Sequence, residues 1–249
     1  MRALPPLLLA AALAAAPLAV SAAELSRSAV VERIAATPAG EAPDFYNQDL
    51  AGLDLAGVDF RAANLHSIDL RRADLHGADL SHANLNLALM NDADLRQANL
   101  PGASMFSVVL EGADLRQADL TGVRLIGNLR DADLRDAVLR DARAGADMRN
   151  QSMGLMNTVL AGADLRGADL TGADLSHGDL RFAELRGARM TGVRLRFADL
   201  RGADLTGANL TGADLSEASL AKAVLRDAQG LDTLLGLDSV KGWDRAILE

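Results

Sequence analysis

The sequence predicts an all-β solenoid, and three regularities support this prediction. Leucine recurs every five residues over most of the chain, as in LRGADLTGADLSHGDL from Leu165 to Leu180. Alanine usually stands two positions before this leucine, and aspartate or asparagine one position before it. Glycine is frequent two positions after it. Such self-similarity over a long stretch is typical of solenoids, in which each repeat packs only on its neighbours.

A period of five fits neither an α-helix nor a continuous strand. On an α-helix, leucines five residues apart would be rotated by about 140° from one another and would form no stripe. On a strand, they would alternate between the two faces. We therefore expect a short extended piece with alanine and leucine inside, followed by a tight turn. Glycine supplies the positive φ of that turn, and aspartate can bond to its backbone amides.

The five-residue register can be followed along the chain. It runs from Leu50 to Leu125, loses one residue before Leu129, and resumes from Leu160 to Leu225. The segment 142–159 breaks the register, and we expect a loop to leave the solenoid there. Loops that leave a regular scaffold often have functional roles, although a tolerated insertion explains this one equally well.

The tandem A-[DN]-L-x-x units, as in ADLRGADLTGADL and ANLTGADL, resemble the pentapeptide-repeat family over roughly Gln48 to Arg226. The resemblance implies a right-handed quadrilateral β-helix with four pentads per coil, alanine and leucine inside, and about nine coils with short helical caps. Some members of this family protect type II topoisomerases from inhibitors by imitating duplex DNA. Many others have no assigned task.

The first 23 residues have the layout of a secretory signal peptide. A basic residue, Arg2, precedes the uncharged apolar run Ala3–Val20, and small residues follow that would allow cleavage after Ala22 or Ala23. An uncleaved membrane anchor is the alternative. Cleavage predicts a periplasmic or secreted protein with no later membrane contact.

Residues 24–47 are predicted to form an N-terminal cap and linker before the repeat region 48–227. A solenoid needs caps because its ends expose core and unpaired backbone. Ser28 could cap a short helix over Ala29–Ala36, and Phe45 and Tyr46 could seat that helix on the first coil.

Residues 228–249 are predicted to form the C-terminal cap, as one or two short helices interrupted by Gly236 and Gly242. The same residues could instead form a homodimer seam, because the family also dimerises through C-terminal elements. The candidate cap or dimer residues are Leu234, Leu235, Val240, Trp243 and Ile247.

Composition argues against several classes of function. The chain has no cysteine, so disulfides and thiolate metal sites are excluded. Its net charge is −9 and no basic stripe is visible, so we expect no nucleic-acid partner. No two histidines lie twenty residues apart, which disfavours a zinc site or a catalytic pair. We expect no enzyme activity, no metal and no cofactor.

Four pentads per coil would stack residues that are twenty positions apart. The turn acids Asp54, Asp74, Asp94 and Asp114 should then form a column. Carboxylates at that spacing repel one another and could recruit a cation. Arg96 and Arg116 stand two positions further on, however, and pairing with arginine is the simpler outcome.

Five apolar residues interrupt the polar pattern of the outward positions: Leu87, Leu89, Phe106, Val109 and Ile126. The stacking rule places them in one external patch beside the irregular segment. We expect an apolar patch of this kind to be buried, either by the segment 142–159 or by a protein partner. Phe182 and Phe197 form a second, smaller outward pair.

The sequence therefore predicts a non-enzymatic exported scaffold that binds a protein. A DNA-mimicking protein that binds a topoisomerase is the alternative, and it applies only if the chain is not exported. Duplex DNA carries about one charge per 1.7 Å, far more than this chain with its interleaved arginines.

Overall fold

The computed structural model describes residues 25–146 and 156–249, so the predicted signal peptide and the middle of the irregular segment lie outside the described residues. The described part contains one α-helix, α1 (Arg27–Ala36), and two strands, β1 (Ser104–Val109) and β2 (Arg124–Asn128). Three 3-10 turns follow near the C-terminus, at Leu231–Thr233, Leu237–Ser239 and Trp243–Arg245. None of the helices in these two ranges has the length and apolarity needed to cross a membrane.

Between these elements the chain forms a ladder of parallel bridges. Most bridges join residues twenty positions apart, beginning with Asp44 and Asn64. Each rung has two backbone hydrogen bonds: Leu75 N donates to Asp94 O at 2.7 Å, and Asp94 N donates to Ala73 O at 3.0 Å. Four pentads therefore complete one coil, as the resemblance to the repeat family implies.

The interior of the ladder is filled by the two inward residues of each pentad. The alanine and leucine positions are almost all at most 1% exposed. Phe45 and Phe60 lie edge to face in the first coil, with ring centroids 5.7 Å apart. Because Phe45 is fully buried and Asp44 already bridges to the next coil, the ladder begins before the predicted residue 48.

The N-terminal helix α1 covers the open end of the first coil with Val30, which is fully buried. The expectation that Ser28 is the N-cap and that the helix starts at Ala29 is wrong on both counts. Ser26 is the cap, and its hydroxyl accepts a hydrogen bond from Ala29 N at 3.3 Å. Two serines two positions apart are equivalent by propensity, so local sequence does not distinguish them.

The C-terminal residues form three 3-10 helices that are separated at Gly236 and Gly242, so the expected interruptions are present, but these helices are not α-helical. They continue the ladder with six residues per side: the bridges fall at Gln229, Leu235, Lys241 and Ile247. Each side has a glycine with φ near +75° and then a 3-10 turn. The corresponding sequence signal is a hexad, present as GLD, GLD and GWD at 230–232, 236–238 and 242–244.

The pentad before Leu129 is one residue short, and the ladder accommodates this where β1 and β2 pair. Phe106 pairs with Ile126 and Val108 with Gly127, with a register shift between these two pairs. A side chain on Gly127 would overlap the carbonyl oxygen of Val108. Glycine at this site is therefore needed for close approach of the backbones.

The two ends of the irregular segment are held in the ladder. Arg143 and Val159 pair with Asp174 and Asp179, which are successive rungs of the next coil. The chain thus uses 16 positions, 143 to 159, where five are usual. At its return Thr158 is fully buried, and its hydroxyl lies 2.8 Å from Leu125 O and 2.7 Å from Ala144 O.

Candidate interaction surface

The corners of the coils favour glycine, because the residue two positions after each core leucine has a positive φ. Leu87, Phe182 and Phe197 occupy such corners with φ values of 62°, 58° and 58°. The left-handed conformation costs an ordinary residue about 1–2 kcal/mol. A large apolar side chain here is both strained and exposed, so folding does not explain its presence.

The first apolar patch is centred on Leu87 and Leu89, which are 46% and 38% exposed. Leu89 bridges to Val109 on the next coil, as the stacking rule predicts, and Val109 is half-buried. Most other pentads have aspartate or asparagine at these bridge positions. Hydrophobic substitution at a position that faces solvent indicates a contact surface.

Phe106 and Ile126 also lie on neighbouring coils, but their side chains are less exposed to solvent than the sequence predicts. Ile126 is only 3% exposed, so its assignment to the external surface is wrong. Phe106 is half-buried, and the guanidinium of Arg124 lies 5.6 Å from its ring centroid. The usable part of the predicted surface is therefore Leu87, Leu89, Val109 and the outer edge of Phe106.

The second apolar patch contains Phe182 and Phe197, which are 68% and 47% exposed. The Phe182 ring lies over the corner of the next coil, where only Gly202 leaves room for it. The Phe197 ring is stacked on the imidazole of His177, with centroids 4.7 Å apart and an interplanar angle of 8°. Both rings are thus held in fixed positions on the surface.

Both patches belong to one side of the solenoid. Successive bridges join Leu89, Val109, Asn128, Val159, Asp179 and Asp199 in one column. Leu87 and Phe197 stand two positions before their column residues, and Phe182 stands three positions after Asp179. We call the side that carries this column the apolar face.

The other sides are polar by comparison. Between residues 51 and 230, the described part of the chain exposes four large hydrophobic side chains: Leu87, Leu89, Phe182 and Phe197. All four lie on the apolar face or at its two corners. The five bridges from Leu89 to Asp199 span about 24 Å at the usual strand spacing.

The acidic column predicted from four residues continues over eight coils. Its members are Asp54, Asp74, Asp94, Asp114, Asp133, Asp164, Glu184 and Asp204. Arginine stands beside most of them: Arg96 donates to Asp94 with Nε and Nη2, and Arg116 does the same for Asp114. Each of these arginines also approaches the next carboxylate, as Arg96 does Asp114 at 3.7 Å.

These ion pairs shift the carboxylates toward the charged form. The hydrogen bond from Arg96 lowers the pKa of Asp94 below its usual value, against the opposing effect of burial. Arg71 lowers the pKa of Asp69 in the same way. The acidic column is therefore neutralised by the protein's own arginines rather than left for a cation.

The described residues offer no constellation for catalysis or for a metal. Within 25–146 and 156–249, no group of three or more histidine, aspartate or glutamate side chains could hold a metal ion. A shallow polar depression lies along His76, Arg96, Arg116 and Arg135. Its arginines are bound to neighbouring carboxylates.

The C-terminal candidates divide into two sets. Leu234, Val240 and Trp243 are half-buried and pack on the core at the open end of the last coil. Leu235 and Ile247 are bridge residues that point outward, and they are 56% and 38% exposed. The first set caps the core, and the second set adds apolar side chains to two other sides of the last coil, since Leu235 bridges to Asp214 and Ile247 to Val224.

A family model described as pentapeptide repeats matches the chain in eight copies, over segments that run from residue 44 to 150 and from 155 to 227. No curated protein matches the sequence. Among solved structures, the chain is similar to HetL from the cyanobacterium Nostoc sp. strain PCC 7120, a pentapeptide repeat protein involved in heterocyst differentiation regulation. That similarity has 28% identity and a TM-score of 0.48, with 90% of this chain and 97% of HetL covered.

A second solved structure is that of QnrB1, a plasmid-mediated fluoroquinolone resistance protein. Its identity to this chain is 17% and its TM-score 0.40, and 78% of this chain and 90% of QnrB1 are covered.

Proposed function

Because the chain belongs to the pentapeptide-repeat family, whose members fold as right-handed quadrilateral β-helices, we propose that it is a non-enzymatic scaffold of about nine coils that binds a protein partner. The partner contacts the apolar face, with Leu87, Leu89, Val109 and the edge of Phe106 at the centre of the contact. The family consists in general of scaffolds without enzyme activity.

One observation supports this proposal above the others. Between residues 51 and 230 of the described coils, the large exposed apolar side chains lie on one face or at its corners, and three of them occupy corners that glycine would fill at lower cost. Selection for stability alone would remove such residues.

We propose that the scaffold acts in the periplasm. The proposal rests on the basic start, the apolar run 3–20 and the small residues before Glu24. Determining the intact mass of the protein from fractionated cells tests this directly. A chain that begins at Ala23 or Glu24 in the periplasmic fraction supports export, and a cytoplasmic chain that retains Met1 contradicts it.

The DNA-mimic alternative is weaker. A mimic needs a surface of free carboxylates with duplex-like spacing. In the acidic column the outermost side chains are arginines, and the carboxylates beneath them are engaged. The mimic would require this face to bind a basic groove, and the arginines would oppose that contact.

A homodimer through the C-terminal coil is a second proposal about partners. Leu234, Val240 and Trp243 leave the open end of the solenoid only half-covered, and Leu235 and Ile247 add apolar rim. Light scattering after size-exclusion chromatography would show a dimer that Trp243→Ser and Leu235→Ser convert to a monomer. A monomeric wild-type chain would refute it.

The partner surface can be tested with variants that preserve the fold. Leu89→Asp and Val109→Asp install the residue that the repeat itself prefers, and Leu87→Gly relieves a positive φ. The matched control is Gln117→Gly, also at a positive-φ corner but on another side. A photo-crosslinker at position 89 should form an adduct in cells, and one at position 117 should not.

The triple variant L87G/L89D/V109D should lose the position-specific interaction while melting at or above the wild-type temperature. Crosslinking that is equal at positions 89 and 117, or an adduct that survives the triple substitution, would contradict the proposed surface.

A further inference from the structure

The second patch, around Phe182 and Phe197, differs from the first in its charged surroundings. Each phenylalanine follows an arginine directly, Arg181 and Arg196. The bridge between Asp179 and Asp199 places the two rings at opposite corners of the same side, on neighbouring coils. The two rings therefore project from the edges of one flat surface, with arginines near both.

The arginines of this surface lie outside the carboxylates that they bind. The side chain of Arg201 is 54% exposed and that of its partner Asp199 is 28% exposed; for Arg181 and Asp179 the values are 40% and 15%. In each pair Nε and Nη2 donate to the carboxylate. The Nη1 edge of both guanidinium groups stays available for another acceptor.

Two further cations near the rings are bound only weakly or not at all. Arg196 approaches Asp214 only at 3.9 Å, and that carboxylate already accepts hydrogen bonds from Ser216. The ammonium group of Lys222, at the same corner as Phe182 two coils on, has no carboxylate within ion-pair distance in the described chain. The surface around the two rings is therefore rich in aromatic and cationic groups, and Glu217, at the Phe197 corner one coil on, is paired with Lys241 at 3.2 Å. The whole chain, by contrast, has a net charge of −9.

The shape of this surface favours a flat partner. Phe182 and Phe197 lie on convex corners, and neither ring lines the depression along His76 and Arg96 or the one beside Pro38. Aromatic rings at the water–lipid boundary, flanked by arginine and lysine, are the arrangement by which proteins bind a bilayer surface without spanning it.

We propose that the surface formed by Phe182, Phe197, Arg181, Arg196, Arg201 and Lys222 docks the solenoid on a bilayer containing anionic phospholipids. The rings enter the headgroup region, and the free guanidinium edges and the Lys222 ammonium bind phosphate oxygens. This surface is separate from the Leu87–Leu89 patch, so it does not depend on the proposed protein partner. It departs from the expectation of no membrane contact after cleavage, because the sequence alone does not place the two phenylalanines at the corners of one side with cations beside both.

Vesicle sedimentation tests this proposal with the purified chain beginning at Glu24. Wild-type protein should sediment with phosphatidylcholine vesicles containing about one third phosphatidylglycerol, and much less with pure phosphatidylcholine. The double variant F182G/F197G should bind at least about tenfold more weakly. It should keep its fold, because glycine is the usual residue at both corners.

Two controls make the result decisive. Gln117→Gly removes a side chain from an equivalent corner on another side and should leave lipid binding unchanged. Arg196→Gln and Lys222→Gln together should weaken binding to anionic vesicles, and high salt should do the same. Melting temperatures of all variants report whether the fold is retained.

Wild-type protein that fails to sediment with anionic vesicles overturns the proposal and leaves the phenylalanine pair to a protein partner. Binding that is unchanged in F182G/F197G overturns it as well, since the contact would then lie elsewhere.

Discussion

The guanidinium of Arg27 lies against the backbone of Asp54, at the open edge of the first coil. Arg27 Nη1 donates to Asp54 O at 2.9 Å and to Asp54 Oδ1 at 2.8 Å, and Nη2 donates to Ala56 O at 2.7 Å. These two carbonyl groups have no coil beneath them to supply a donor. One side chain of α1 thus replaces the missing rung of the ladder.

Arg27→Met should therefore loosen the first coil. We expect a loss of about 1 kcal/mol in the free energy of unfolding, since the contacts are charged but exposed. Hydrogen exchange should accelerate in residues 45–60 more than in later coils. Arg61→Met is the matched control, because the guanidinium of Arg61 donates to the carboxylate of Asp59 rather than to backbone carbonyls. Equal effects of the two substitutions would show that Arg27 acts as an ordinary surface ion pair.

Thr158→Val should destabilise the region where the chain returns from the irregular segment. Valine conserves the shape but removes the single hydroxyl proton that the carbonyl oxygens of Leu125 and Ala144 share, at a cost of about 1–3 kcal/mol. Urea unfolding measures the loss. Thr191→Val, at an exposed site, should change stability by less than about 0.5 kcal/mol.

Gly162→Ala should be more harmful than Gly187→Ala, although both glycines have positive φ. Alanine costs about 1–2 kcal/mol for the backbone at either site. At position 162 the new methyl group would also overlap the carboxylate of Asp131, whereas position 187 is open. In a double-mutant cycle, Asp131→Ala should recover part of the loss at 162. If the two glycine variants melt at the same temperature, the overlap with the Asp131 carboxylate does not affect stability.

Acid should unfold the protein through its paired carboxylates. Arginine hydrogen bonds lower the pKa of Asp59, Asp69, Asp94 and Asp179 in the folded state. A lowered folded pKa contributes stability that is present above the unfolded pKa, near 4, and is lost as the pH falls through the folded pKa. The melting temperature should stay level from about pH 8 to pH 5 and fall below about pH 4.

The variant D94N/R96M removes one such pair and should show a shallower acid decline, because an asparagine side chain at position 94 does not titrate. An identical decline in the variant and the wild type would mean that the Asp94–Arg96 pair contributes nothing to the pH dependence.

Much of the architecture can be predicted from local pattern. Alanine before leucine with glycine behind it defines a pentad, and four pentads per coil stack Leu89 on Val109 and Asp94 on Asp114. The pairing of the acidic column with arginine also follows from this rule. The pattern does not reveal how far the ladder extends, since the C-terminal hexads GLD, GLD and GWD lack the five-residue period and leave a helical cap as the simpler expectation.

The apolar surface is predicted only in part. Leu87 and Leu89 are exposed as expected, but Ile126 is buried because the shortened pentad turns its segment into strand β2. Local sequence has no means of distinguishing an outward position in a turn from the same position in a displaced strand. The second patch is visible in the sequence as two Arg-Phe pairs, and only the ladder shows that they share one side.

The sequence by itself determined the period, the residues that fill the core and the corners that need glycine, because each is set by contacts within one pentad or its stacked neighbour. The tertiary structure decided the rest. It decided which serine caps α1, where the solenoid begins and ends, and that the large exposed apolar side chains described between residues 51 and 230 lie on one face and its corners. These features depend on the number of residues in each side of each coil. The position of a residue around the solenoid follows from all the sides that precede it, so no single repeat reveals it.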